Sequence, residues 1–232
     1  MFQYAYLVLS LLLLCVWLIL YFLKFTFRKE MLWVSFWTMF LALTEPFFVP
    51  EYWNPLTFLN LARRTGFDIE SFIFCFAVGG IAAVLFEAIF KAKHLKMSSR
   101  EQCNERHRFH FWVVISGPVA FLILFLITNL NPIYSAIIGL IVAFFATWWC
   151  RPDLVKKMLV SGFLFLGIYF IAFFLLDIIF PGYVENVWNL PALSGIFLVG
   201  VPIEELMWAF AFGLYWSSVY EHFGWYKFKN SL

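Results

Sequence analysis

Two adjacent carboxyl groups, Glu204 and Glu205, are the residues in this sequence best suited to chemistry. They stand in the segment 201–208 (VPIEELMW), at the start of a long apolar run. Acids beside a bilayer are costly and rare, so they are candidates for function by default. Neighbouring carboxyls suit proton transfer, because repulsion and desolvation keep one protonated while the other ionises. Pro202 and the two acids also suit the first turn of a helix.

A second acidic helix start lies earlier in the chain. Asp68 and Glu70 open another apolar run in the segment 67–72 (FDIESF), and Glu70 precedes Glu204 by 134 positions. The same offset relates Gly66 to Gly200, Ile69 to Ile203, Gly79 to Gly213 and Glu87 to Glu221.

Upstream of both helix starts, a Trp-Asn pair follows an acid. Trp53 follows Glu45 in the first case, and Trp188 follows Asp177 in the second, with a slip of one residue. The ordered set of matches predicts an internal duplication, a common way to build membrane proteins around an interface site.

The elements that position these residues are apolar helices. The chain has 232 residues, of which 64% are hydrophobic and 13% are charged, about half the charge of a soluble domain. We therefore predict an all-α polytopic membrane protein with seven spans, at about 4–23, 31–49, 67–90, 110–128, 133–149, 158–180 and 197–219. The net charge of +2 gives no indication of nucleic-acid binding.

Basic residues predict the orientation of the spans. Of the 16 Lys and Arg residues, 14 fall on one side, and only Arg63 and Arg64 fall on the other. The positive-inside rule makes the crowded side cytoplasmic, with the N-terminus outside and the C-terminus in the cytoplasm. Matching spans then point the same way, so we predict parallel repeats at 1–109 and 129–232, joined by a connecting span at 110–128.

This topology places the six candidate acids at the non-cytoplasmic ends of their spans. Glu87 and Glu221 lie 17 positions beyond Glu70 and Glu204, or about 25 Å along a helix. We therefore expect Glu87 and Glu221 to anchor the cytoplasmic interface, beside Lys91 and Lys227.

At these residues the chain resembles the lycopene cyclase domain family, the small duplicated membrane cyclases of bacteria, archaea and fungi. The family pattern is an acid near a span end, a Trp-containing loop and a Pro-x-Glu-Glu helix start. The second half carries it as Asp177, Trp188 and the segment 202–208, whereas the first half lacks the Pro and the second Glu. The resemblance covers nearly the whole chain and implies a bacterial or archaeal plasma-membrane location.

The resemblance implies cyclisation of the ends of lycopene, or of another long apolar polyene, without net redox change. A proton adds to the terminal alkene, the next double bond attacks the cation, and a neighbouring proton leaves. The implied catalytic residues are Glu204 as central acid or base with Glu70 as its counterpart, tuned by Glu205, Asp177, Glu45 and Asp68. Four aromatic side chains suit stabilisation of the cation, namely Trp53, Trp188, Trp208 and Phe72. No dinucleotide fingerprint is present, and we expect no cofactor.

Other interpretations are open from the sequence. A proton-coupled transporter or carotenoid-binding protein also suits duplicated spans with paired acids. A CAAX-type protease would need Arg at position 209, which is Ala here, and later His residues within spans. The spacing of Cys103, His107 and His110 is one that a metal could use, but their charged loop argues against a metal site. We expect His222 to be solvated or interfacial, and the four cysteines to form no disulfide framework.

Overall fold

Apolar helices dominate the computed structural model, which describes residues 2–228. The outermost residues of the predicted repeats, 1 and 229–232, lie outside the described residues. The α-helices are α1 (Ala5–Leu23), α2 (Arg28–Thr38), α3 (Glu45–Phe48), α4 (Ala62–Thr65), α5 (Ile69–Phe90), α6 (Ser99–Gln102), α7 (His110–Ile127), α8 (Pro132–Cys150), α9 (Val155–Ile179), α10 (Tyr183–Val187), α11 (Ile203–Trp216) and α12 (Val219–Gly224). The short strands are β1 (His94–Lys96), β2 (Phe197–Leu198), β3 (Val201–Pro202) and β4 (Tyr226–Phe228).

Six helical stretches among the described residues are long and apolar enough to cross a membrane. They run over Phe2–Leu23, Phe25–Phe48, Ile69–Phe90, Glu105–Ile127, Pro132–Cys150 and Pro152–Ile179. A chain with this many apolar helices is an integral membrane protein of the all-α class. The second stretch is composite, because a 3-10 turn at Met39–Thr44 joins α2 to α3.

The predicted seventh span, 197–219, is helical only over the 14 residues of α11. Residues 197–202 form a β2–β3 hairpin instead, so the predicted helix start at 197 is wrong. Val199 and Gly200 both have positive φ, at 50° and 80°, as a two-residue hairpin turn requires. Pro202 then stands immediately before α11, which places Glu204 and Glu205 in the first helical turn as predicted.

The helices pack as two similar groups of three. Helix α5 packs against α1 and α2, while α11 packs against α8 and α9. The two groups meet where α9 contacts α1 and α5, and α7 packs against α8. Small residues line the buried middle of α5, including Gly79 against Thr38 and Gly80 against Trp17, so neighbouring helices approach closely there.

Residues from matching positions in the two halves meet each other along the interface between the groups. Trp53 and Trp188 form an antiparallel backbone bridge. Strands β1 and β4 pair antiparallel with His94 opposite Phe228, two residues that are 134 positions apart. The matching glycines Gly66 and Gly200 both adopt left-handed backbone conformations, with φ of 85° and 80°.

Glu87 and Glu221 do not anchor an interface, so that prediction is wrong. Both carboxylates are fully buried, and both accept a hydrogen bond from the ammonium group of Lys157, which is 1% exposed. His94 Nε2 lies 2.8 Å from Glu221 Oε1, and Glu30 Oε1 lies 3.7 Å from Lys157 Nζ. These five residues form a buried ionic cluster that ties both halves to one lysine.

The charge on His94 predicts a pH dependence of stability. Burial alone lowers the His94 pKa, but hydrogen bonds to Glu221 and Glu87 and the charges of Glu221 and Glu30 raise it to about 10. The folded chain therefore holds a proton that the unfolded chain releases near its ordinary pKa of 6.5. Stability from this proton is present below pH 6.5 and is lost as the pH rises through about 10. Lys157 shares the Glu87 and Glu221 carboxylates with His94.

A His94→Gln variant is expected to lose this part of the pH dependence. The measurement is unfolding in detergent at a series of pH values from neutral to alkaline, for the wild type and the variant. The difference in stability between the two should shrink as the pH rises. Parallel profiles across the range would contradict the assignment.

The close approach of α7 and α8 gives a second stability prediction. A Cβ added at Gly139 would stand 2.8 Å from the backbone oxygen of Gly117, whereas one added at Gly167 meets nothing within 4 Å. Gly139→Ala is therefore expected to destabilise the fold by about 1–3 kcal/mol. Gly167→Ala is the matched control and should be neutral or stabilising. Thermal unfolding of the two purified variants checks the contrast, which equal melting temperatures would refute.

Candidate acid–base cavity

An aromatic cavity of about 270 Å³ lies between the two helix groups. Two carboxyl groups reach its wall, Glu45 from the first half and Glu205 from the second. The aromatic residues of the wall are Tyr6, Phe48, Tyr52, Trp53, Phe74, Phe121, Tyr169, Phe173, Trp188, Trp208, Phe212, Tyr215 and Trp216. Acids from two distant parts of the sequence therefore share one apolar space.

Three neutral donors hold the Glu205 carboxyl group. Oε1 accepts hydrogen bonds from the Tyr52 hydroxyl at 2.5 Å and from Trp188 Nε1 at 2.9 Å, and Oε2 accepts one from the Tyr169 hydroxyl at 2.6 Å. Glu205 is 5% exposed, and all three donors are buried. Fixed dipoles of this kind replace water around a carboxyl group and orient it towards the cavity.

The two Trp-containing loops bring two of these donors to Glu205. Asn54 N donates to Val187 O at 2.8 Å, and Asn189 N donates to Tyr52 O at 2.9 Å. The two loops are therefore joined by backbone hydrogen bonds. This pairing places Tyr52 and Trp188 over the start of α11. Burial, and then the charge of Glu205, raises the pKa of Tyr52 well above its ordinary value, so its hydroxyl remains a donor. The sequence pattern pointed to both tryptophans but not to Tyr52 or Tyr169.

Glu45 is the second acid on the cavity wall. Its Oε2 accepts a hydrogen bond from the backbone N–H of Asp68 at 2.8 Å. Its Oε1 is buried and, among the described residues, has no hydrogen-bond partner. Buried polar atoms are usually paired, so this oxygen is available to a group that enters the cavity.

Glu204 and Asp177 lie outside the cavity lining. Glu204 accepts hydrogen bonds from the Tyr134 hydroxyl at 2.7 Å and from Ser194 N at 2.8 Å, which ties the 190s loop to α8 and α11. Asp177 is partly exposed at the end of α9. Its carboxylate packs against Gly200, where an added Cβ would stand 2.9 Å from Oδ2.

Glu70 and Asp68 also lie outside the lining, and both hold the loop that precedes α5. Glu70 is fully buried and accepts a hydrogen bond from Phe58 N at 2.8 Å. Asp68 precedes the first residue of α5, but its side chain accepts from the Thr57 hydroxyl at 2.8 Å and from Ala62 N at 3.0 Å.

Three of the four predicted aromatic residues line the cavity. Trp53, Trp188 and Trp208 are on its wall, whereas Phe72 is not, and Phe74 takes that place on α5. The rings of Phe74 and Trp208 stack with centroids 6.0 Å apart. An aromatic wall with two acids can hold an apolar chain and move protons to and from it, because ring faces attract cations.

One comparison with known protein families finds a match. Residues 131–223 match the family model described as lycopene cyclase. No curated protein and no solved structure matches the chain. The matched segment holds α8, α9 and α11, and it includes Glu205, Tyr169 and Trp188. The match confirms the resemblance to the lycopene cyclase family, and residues 131–223 are the part of the chain that carries it.

Proposed function

We propose that this protein is a membrane-embedded carotenoid cyclase that converts a linear polyene end into a ring by acid–base isomerisation. The observation that carries the proposal is Glu205, a buried carboxyl group held by three neutral donors on the wall of an aromatic cavity. An alkene is a very weak base, so its protonation needs a positioned carboxyl group in a site that excludes water.

Glu205 and Glu45 form the acid–base pair in this proposal. They take the place of Glu204 and Glu70, the pair expected from the duplication alone, because only Glu205 and Glu45 reach the cavity. One carboxyl gives a proton to the terminal alkene, and the next double bond closes the ring by attacking the resulting cation. Loss of a proton from the neighbouring carbon to the other carboxylate restores neutrality, so the product is an isomer of the substrate.

The aromatic wall supports the transient cation. Trp53, Trp188 and Trp208 present ring systems to the cavity, and an indole face is the best aromatic partner for a positive charge. The substrate in this proposal is lycopene or a similar long polyene dissolved in the bilayer. The proposed reaction needs no redox cofactor, because the isomerisation changes no oxidation state.

We also infer that the chain arose by duplication, with repeats at 1–109 and 129–232 and a connecting span at 110–128. Support comes from the two similar helix groups and from the meeting of matching residues at Trp53 with Trp188 and at His94 with Phe228. In this proposal α11 is the core of a seventh span. The excess of basic residues at the ionic-cluster end supports an orientation with that end in the cytoplasm and the N-terminus outside.

Expression in a lycopene-accumulating host tests the proposed function. Pigments are extracted and resolved by chromatography, with the empty vector as the control. We expect new products that have the same mass as the substrate and that absorb at shorter wavelength, because ring closure shortens the conjugated chromophore. Unchanged lycopene, with the protein detected in the membrane fraction, would contradict the proposal.

A further inference from the structure

Three side chains of the types that bind metals, His107, His110 and Cys150, converge outside the lining of the acid–base cavity. The Cys150 sulfur lies 3.3 Å from His107 Nδ1 and 3.6 Å from His110 Nδ1. The three ligand atoms all lie within 4.8 Å of one another. The sequence had singled out Cys103 with these histidines, but Cys103 is exposed and is not in the group. Cys150 comes instead from the end of α8, 40 residues beyond His110.

The spacing fits a tetrahedral zinc ion. Zn–S bonds of about 2.3 Å and Zn–N bonds of about 2.0–2.1 Å place a sulfur and a nitrogen roughly 3.6 Å apart in a tetrahedral site. Both sulfur–nitrogen distances are within a few tenths of an ångström of that value. One thiolate and two imidazoles are also the ligand types that zinc prefers.

His110 is held in the orientation that metal binding requires. Its Nε2 lies 2.9 Å from the backbone oxygen of His222, and a carbonyl can only accept, so the proton is on Nε2. Nδ1 therefore presents a lone pair towards Cys150. The ring is clamped between His222 and Trp225, with centroids 3.9 Å and 3.6 Å away. His222 is 1% exposed, so the expectation of a solvated or interfacial side chain is wrong. A second hydrogen bond from a ligating imidazole to a carbonyl is usual at metal sites.

Cys150 presents its sulfur to the two histidines from a fixed position. It is fully buried at the last residue of α8. Arg151 follows it, with a guanidinium group that is fixed by Asp153 and by the carbonyl of Tyr226. These contacts join the end of α8 to the turn that follows it and to β4, and they fix the backbone beside Cys150. Both histidines are partly exposed, so water can reach the fourth coordination position.

We propose that His107, His110 and Cys150 bind one Zn²⁺ ion, with water as the fourth ligand. The ion would tie the segment before α7 to the end of α8, and through the His222 carbonyl to α12. It would be structural, because none of its three ligands lines the acid–base cavity. From the sequence alone, the charged loop that holds the two histidines argued against a metal site. Cys150, which lies at the end of α8, was not part of that prediction.

Cobalt titration of the purified full-length protein tests the site, because Co²⁺ adopts zinc geometry and has visible absorption. The protein in detergent is stripped with a chelator and titrated with Co²⁺ and then with Zn²⁺. One equivalent of Co²⁺ per chain is expected, with a thiolate-to-cobalt charge-transfer band that Zn²⁺ abolishes. Zn²⁺ should also raise the melting temperature of the stripped protein.

Matched cysteine variants decide whether Cys150 is the ligand. Cys150→Ser should lose the charge-transfer band and bind Co²⁺ at least about a hundredfold more weakly, whereas Cys103→Ser should behave as the wild type. His107→Gln, at a partly exposed position, should weaken binding without disturbing the core. Absence of the band in the wild type would show that the sulfur and the imidazoles are joined by hydrogen bonds alone. Survival of the band in folded Cys150→Ser would show that another cysteine binds the ion. Either result would overturn the proposal.

Discussion

Replacing Glu205 by Gln is expected to lower ring formation by at least about a thousandfold, since general acid–base catalysis contributes about 10²–10⁴-fold. Gln keeps the size of the side chain, and its amide oxygen can still accept from Tyr52 and Trp188, while its amide nitrogen can donate to the Tyr169 hydroxyl oxygen. It cannot gain and lose a proton, so the loss would be chemical rather than structural. The measurement is the rate of ringed product formed by membranes that contain equal amounts of wild-type and variant protein.

Glu204→Gln is the matched control because it changes the neighbouring carboxyl on the same helical turn. Glu204 faces Tyr134 and Ser194 instead of the cavity. This variant should keep a substantial part of the wild-type rate, and its cost should appear mainly as lowered thermal stability. Equal inactivation of both variants, with both well folded, would contradict the assignment of Glu205. Glu45→Gln should resemble Glu205→Gln.

Replacing Lys157 by Met is expected to destabilise the protein by about 3–5 kcal/mol, the usual cost of removing one partner from a buried ion pair. Met has a similar length but leaves Glu87 and Glu221 without the ammonium group that they share. Glu30, whose two oxygens accept no hydrogen bond from the described residues, would lose its nearest cation. Unfolding in detergent, followed by heat or denaturant, measures the loss.

The adjacent lysine supplies the control for this experiment. Lys156 is exposed, and Lys156→Met should change stability by less than about 1 kcal/mol. Adding Glu87→Gln and Glu221→Gln to Lys157→Met should recover part of the lost stability, since neutral amides are cheaper to bury than unpaired carboxylates. Similar unfolding of the Lys156 and Lys157 variants would show that the cluster contributes little.

The positions of the acids along their helices could be predicted from the sequence, but their directions could not. Glu204 and Glu205 both fall in the first turn of α11, as the pattern indicated. Adjacent residues on a helix point about 100° apart, and hydropathy cannot say which one faces a cavity. The duplication favoured Glu204, because Glu70 matches it. The acid that reaches the cavity is Glu205, and the matching position in the first half is Ser71, so the duplication gave no reason to choose it.

Contacts between distant segments account for the rest of what the sequence did not reveal. In the sequence, Lys157 was only one of the basic residues that predicted the orientation of the spans. In the structure it forms ion pairs with carboxylates from α5 and α12. Cys150 was passed over because its two histidine neighbours lie 40 or more residues away. The hairpin at 197–202 was missed because its residues are as apolar as those of a span, and only the turn at Val199 and Gly200 distinguishes it.

The size of the cavity has a consequence for the order of products. Its volume of about 270 Å³ is below the usual range for sites that enclose a whole small molecule, about 300–1,000 Å³. Under the proposed function, the cavity holds one end of the polyene substrate, while the rest of the substrate extends into the lipid. A substrate with two linear ends must then dissociate after the first cyclisation and rebind with its other end in the cavity. The singly ringed compound should therefore build up first in a time course and decline as the doubly ringed one appears.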